Sequence, residues 1–331
     1  MSPTLPRSGS IIPSWPAPIS ANRDRPIPRM VSSRSSSAAS ADALAPLDAL
    51  RDWARAAAAA AQARPEPLLA RIERTPIAST VLMHALRAGE ALSLESALVL
   101  ESLAYSTLQA GPEFRAWRAA HRTPKPPARD PGPAVILERR ADALCLTLNR
   151  ASLRNSMSLE MRDALIEALE LALADDSIAR VEIRARGKCF SVGGELTEFG
   201  TAPDPATAHL VRTQALPGRL LAHCARRATV YVHGACIGSG IEFPAFAGRV
   251  IAASDAWFQL PELNYGLIPG AGGTVSIARR IGALRTAYLV LSGKRLDVRT
   301  ALAWGLVDAI EPDSPTRTKR ARPARLNLPA P

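Results

Sequence analysis

The chain has 331 residues, of which 47% are hydrophobic, 21% charged and 5% aromatic, and it carries a formal net charge of +11. That length exceeds what one typical core needs and gives one main domain with additional segments. The absence of an apolar run of about 18 residues excludes a hydrophobic helical membrane span, and four scattered cysteines without a Cys-x-x-Cys pair or clustered histidines exclude a zinc site and fit a reduced, cytoplasmic setting.

Residues 1–40 hold five arginines against Asp24 alone, together with seven prolines and few large apolar side chains. They read as a disordered tail, because so little apolar surface cannot offset the entropy of ordering. An Arg- and Ser-rich start resembles an organellar transit peptide, but the prolines oppose the amphipathic helix such a peptide forms. Residues 313–331 form a second basic, disordered tail, with four arginines and Lys319 against Asp313. Each tail carries a net +4, so most of the +11 belongs to the ends and says little about the body.

Residues 41–121 read as a helical segment of several short helices, with Leu50 and Trp53, then Leu82, Leu86 and Leu92, then Leu98, Leu100, Leu103 and Leu108 at three- and four-residue spacings. Such helices pack as a cap or an oligomer-forming layer. The stretch 122–133 is a Pro-rich linker. From 134 to 312 strands alternate with helices. Leu144, Leu146 and Leu148 alternate as a strand, and Ser158 can cap a helix carrying Leu165, Leu169 and Leu173. Residues 180–185, 229–232 and 249–253 add further strands, which together give an α/β domain of β-β-α or β-α-β units.

Two of these strands run into glycine turns that should lead into helices, "VEIRARGKCFSVGGEL" (181–196) and "TVYVHGACIGSGIEF" (229–243). Glycine permits positive φ and close ligand approach, so the amides after such turns can aim free N–H groups at an oxyanion. If Ser239 begins a helix, its amide also sits at the positive end of the helix dipole. Glu242 follows within a turn, flanked by Ile241 and Phe243, and Glu262 comes 20 residues later. Two carboxylates beside backbone donors suit acid-base chemistry on a polarised carbonyl. Burial would raise their pKa values towards that work.

At these residues the chain resembles the crotonase, or enoyl-CoA hydratase/isomerase, superfamily. "KCFSVGGELTEFG", "VHGACIGSGIEFPAFAGRVIAASDAWFQLPELNYGLIPGAGGT" and "ALAWGLVDAI" are similar to its successive signature segments, and "LNRASLRNSMS" (148–158) resembles the first turn of that series. The resemblance covers about 134–312 and implies a coiled β-β-α spiral that binds an acyl-CoA thioester and stabilises its enolate with two backbone amides, here those of Gly194 and Ser239. It places the two glutamates of the hydratase branch on Glu242 and Glu262. It implies a homo-oligomer, trimer or hexamer, and no resident cofactor, coenzyme A being part of the substrate. Glu195 stands where many members have aspartate, and Gly248 with Arg249 replaces a usual Cys-Asp pair. Members usually continue after "GLVD" into helices that cover the site, a role that residues 41–121 could take over.

The leading expectation is hydration of an enoyl-CoA. The neighbours are an enoyl-CoA isomerase and a cofactor-free acyl-CoA dioxygenase of the same superfamily. An RNA-binding relative is disfavoured, because neither basic tail interleaves aromatic residues for base stacking.

Overall fold

The structure is a computed structural model that describes residues 39–121 and 130–311. Residues 1–43 are a unit apart from 44–331, and its described part is Ala39–Ala43, the start of the first helix. The expectations for residues 1–38, for the linker up to residue 129 and for the basic tail fall outside the described residues.

Five helices come first: α1 (Ala39–Ala60), α2 (Glu66–Arg74), α3 (Pro76–Gly89), α4 (Leu94–Gln109) and α5 (Pro112–Ala120). Proline occupies the first helical position of α3 and α5, where its missing N–H costs nothing. Ser93 caps α4 by accepting from the amide of Ser96. The order then runs β1 (Val135–Arg140), β2 (Ala143–Leu148), α6 (Leu159–Ala174), β3 (Arg180–Ala185), α7 (Pro205–Gln214), α8 (Pro217–His223), β4 (Ala228–Val232), β5 (Ala235–Ile237) and α9 (Ser239–Glu242). It continues with β6 (Arg249–Ala253), β7 (Trp257–Gln259), α10 (Gly273–Ile281), α11 (Ala283–Ser292), β8 (Leu296–Asp297), α12 (Val298–Trp304) and β9 (Ala309–Glu311).

The larger sheet has the order β1-β2-β3-β4-β6-β9, antiparallel between β1 and β2 and parallel from there on. Its inward residues, among them Leu146, Ile183, Val230 and Val250, are fully buried, as central parallel strands require. The smaller sheet has the order β5-β7-β8. Twice the chain leaves a strand of the large sheet, turns within a few residues and enters a strand of the small one: β4 into β5, then β6 into β7. That repeated step is the β-β-α spiral, and it delivers the ends of β5 and β7 side by side.

Two local expectations are corrected. The first glycine turn leads into a 3-10 turn at Leu196–Glu198, capped by Glu195, and the next α-helix starts only at Pro205, capped by Asp204. The intervening chain is committed elsewhere, since Ser191 bridges to Cys236 and Gly194 to Met157. The apolar spacing in α4 also misreads its inner face. Leu98 and Leu108 are buried, but Leu103 is 49% exposed, and Glu101, Ser102, Tyr105 and Ser106 point inward instead. The elements packed against that face explain the choice: α4 contacts α7 and α10, which present an arginine and a row of free amides. Helices α2 and α3 lie on α11, and α3 also on α10, so the helical segment is fastened to the second half of the α/β layer.

Candidate active site

The first turn of the α/β domain positions the oxyanion candidate at Gly194. Buried Asn155, at φ 53°, accepts from the amide of Arg150 and donates to the carbonyls of Arg186 and Cys189. Arg150 is itself buried and reaches Glu160 at 2.5 Å. From this braced turn Met157 donates to Gly193 O and accepts from the amide of Glu195, so Gly194 is held between two backbone bonds that leave its own N–H unused. Gly193 has φ 96°, and an added Cβ there would lie 2.8 Å from the carbonyl of Ile237, which fixes the close approach of the two glycine turns.

The second turn does the same for Ser239. Gly238, at φ 50°, ends β5 with its amide bonded to Gln259 O, and Ser239 is the first residue of α9. Neither Gly194 N nor Ser239 N donates to any acceptor among the described residues, and both residues line one cavity of about 930 Å³. The Oγ of Ser239 is buried without a partner among the described residues, so the hydroxyl holds none of them in place.

Both glutamates reach this point. A Cβ at Gly238 would lie 2.8 Å from Glu262 Oε1 and 3.7 Å from Glu242 Oε1, so the two carboxyls converge on the turn that carries the free amide. Glu242 is 2% exposed, and its Oε2 accepts from the amides of Ala271 and Gly273 at 2.8 and 2.9 Å. Glu262 is 8% exposed, follows β7, and has Oε2 buried without a partner among the described residues. Burial pushes the Glu262 carboxyl up to about 8. Burial raises Glu242 well above the ordinary carboxylate range too, with repulsion from Glu262 and Glu101 adding to it and the two amides opposing it. The pair therefore holds a proton where an exposed pair would not.

A third carboxyl, Glu101 of α4, was not singled out by the sequence. It is 2% exposed and accepts from Gly272 N at 2.6 Å, Thr274 N at 2.8 Å and Thr274 Oγ1 at 2.6 Å. Burial raises it to about 7. Consecutive amides at the start of α10 thus alternate between two side chains, with residues 271 and 273 on Glu242 and residues 272 and 274 on Glu101. A helix N-terminus favours negative partners, and this one draws one from the helical segment and one from the α/β domain. The only sequence signal for Glu101 was its place among leucines on a helix otherwise apolar in pattern.

A sequence profile of the enoyl-CoA hydratase/isomerase family matches residues 138–327. The chain is 34% identical over 182 residues to the 2,3-dehydroadipyl-CoA hydratase of Escherichia coli (strain K12), covering 55% of this chain and 71% of that protein. It is 32% identical over 166 residues to the trans-2-decenoyl-[acyl-carrier-protein] isomerase of Streptococcus mutans, covering 49% and 63%. An enoyl-CoA hydratase/isomerase from Marinobacter aquaeolei is similar in structure, with a TM-score of 0.50 and 27% identity over 54% of this chain and 70% of that one. The chain belongs to the enoyl-CoA hydratase/isomerase family and has the crotonase-like fold.

Proposed function

We propose that the protein is an enoyl-CoA hydratase, adding water across the α,β double bond of an acyl-CoA thioester. The amides of Gly194 and Ser239 hold the thioester oxygen, where negative charge builds as the enolate forms. Glu242, steadied through Oε2 by two amides, uses Oε1 to take a proton from the attacking water as its oxygen bonds to the β-carbon. Glu262, protonated and with Oε2 unpartnered, gives its proton to the α-carbon. The products balance as a hydroxyl on one carbon and a hydrogen on the other, and the acid-base pair resets by one proton passing between the carboxyls. No resident cofactor is needed, since coenzyme A arrives with the substrate.

One observation carries this reading: two buried carboxyls and two unengaged amides meet on a single cavity. The test is to mix purified protein with a short enoyl-CoA and follow loss of the ultraviolet band of the conjugated thioester. Glu242→Gln and Glu262→Gln should each slow turnover by roughly 10²- to 10⁴-fold, the usual worth of a positioned acid-base group. Unchanged rates in both variants would exclude the mechanism. The likeness to an isomerase supports a second reading in which the double bond migrates without water. Sensitivity to only one of the two substitutions, with no oxygen-18 taken up from labelled water, would select it.

A further inference from the structure

Beyond the two glutamates the cavity has a polar patch, and it centres on a cation. Arg212 of α7 lines the cavity together with Tyr105 and Gln109 of α4. Its Nη1 donates to Ser106 Oγ at 2.9 Å and to Ser102 Oγ and O at 3.1 and 3.3 Å, and its Nη2 donates to Gln109 Oε1 at 3.1 Å. The guanidinium carbon lies 4.4 Å from the centre of the Tyr105 ring. Every one of these partners is neutral. Among the described residues no carboxylate lies within ion-pair distance of Arg212, although burial disfavours its charge.

Glu101 acts on the charge of Arg212 only from beyond ion-pair distance, and its own carboxyl is committed to Gly272 and Thr274, so the guanidinium sits in a partly buried wall with no direct counter-ion. Here Nε–H and one N–H of Nη2 have no acceptor among the described residues. Nε and Nη2 share an edge of the guanidinium, and such a fork matches the two oxygens of a carboxylate. The five neutral contacts fix that edge rather than neutralise it.

The position relative to the reacting carbons follows from a chain of contacts. Glu242 is bonded to the amide of Ala271, the neighbouring Gly270 lies so close beneath the Tyr105 ring that an added Cβ would sit 2.3 Å from Cδ2, and the same ring carries Arg212 on its face. On this wall Tyr105 lies between Gly270 and the guanidinium, and all three residues line the cavity that also holds the two glutamates.

We propose that the site takes acyl-CoA thioesters whose acyl chain ends in a second carboxylate, and that Arg212, oriented by Ser102, Ser106 and Gln109, binds that terminal carboxylate. The inference rests on the assignment of the cavity to an acyl-CoA. It adds a role for α4, which supplies three of the residues that aim the guanidinium.

The test measures binding and chemistry separately. Calorimetric titration of the full chain compares saturated ω-carboxyacyl-CoA thioesters of short and medium length with unbranched acyl-CoA of the same length. The wild type should bind the carboxylated member roughly 10- to 100-fold more tightly, the worth of hydrogen bonds to a charged group. Arg212→Gln should bring the ratio close to one and Arg212→Lys should keep part of it, each checked for native circular dichroism. Should Arg212→Gln fail to fold, the wild-type ratio and that of Arg212→Lys still decide. A wild-type ratio of one or below, or a ratio untouched by substitution, overturns the proposal. Hydration of a simple enoyl-CoA without any carboxylate preference would sink this inference and leave the hydratase reading intact. A carboxylate preference without hydration of any enoyl-CoA would do the reverse.

Discussion

On the proposed mechanism, replacing Ser239 by proline should remove one oxyanion donor and little else. The usual objection to such a substitution is that proline breaks helices, but Ser239 is the first residue of α9, the position where proline is best tolerated. Its amide has no acceptor among the described residues, so no structural hydrogen bond is lost, and its buried Oγ has no partner to strand. The preceding residue is Gly238, which has the conformational freedom that a residue before proline most needs. Loss of one oxyanion donor costs about 3 to 4 kcal/mol of transition-state stabilisation, or roughly 10²- to 10³-fold in turnover. Ser239→Gly keeps the amide and should retain activity within several-fold. Steady-state hydration of a short enoyl-CoA, with circular dichroism to confirm the fold, checks both variants. Full activity in a folded Ser239→Pro protein would refute the oxyanion assignment, and a glycine variant as inactive as the proline one would make the hydroxyl part of the chemistry.

On the proposed mechanism Glu262 delivers a proton, so turnover should fall as pH rises through about 8, and the slowed Glu262→Gln variant should lack that limb in its pH–rate profile. The same raised pKa values affect folding: Glu101 and Glu262 keep protons in the folded state that the unfolded chain gives up near pH 4.5, so their contribution to stability is full below that pH and declines as pH rises towards 8, as denaturant titrations at several pH values would register. Glu101→Gln should lower stability by about 1 to 3 kcal/mol, because an amide nitrogen must face either Gly272 N–H or Thr274 N–H where a carboxylate accepted from both; an unchanged urea midpoint would contradict its bridging role. Deleting residues 1–130 should cause aggregation by uncovering the faces of α10 and α11 that α2, α3 and α4 cover, and a monodisperse 131–331 fragment by size-exclusion chromatography would disprove this.

Much of the α/β layer was legible in the sequence because its signals are local. Alternation in Leu144, Leu146 and Leu148 reports a strand with one buried face, and Ser158 ahead of an apolar helix reports a cap, which it makes to Met161 N. The glycine turns were readable for the same reason: "GG" at 193–194 and "GSG" at 238–240 announce backbone that only glycine adopts easily or that tolerates no side chain. Glu242 could be singled out because a carboxyl between Ile241 and Phe243 is anomalous within a few residues.

What tertiary structure alone decided is the company these residues keep. Nothing local relates Gly194 to Ser239, or Glu242 to Glu262; the bridge from Ser191 to Cys236 joins the two glycine turns, and the repeated step from the large sheet into the small one brings the glutamates together. Helical periodicity predicted leucines on the inner face of α4 and missed Glu101, Tyr105 and Ser106, because a helix buries whatever its neighbours can partner. Those neighbours are amides of residues 272 and 274 and the guanidinium of Arg212, more than a hundred residues further along the chain. Hydrogen-bond donors that a fold leaves open can be satisfied from any point in the sequence, so periodicity within one helix carries no record of them.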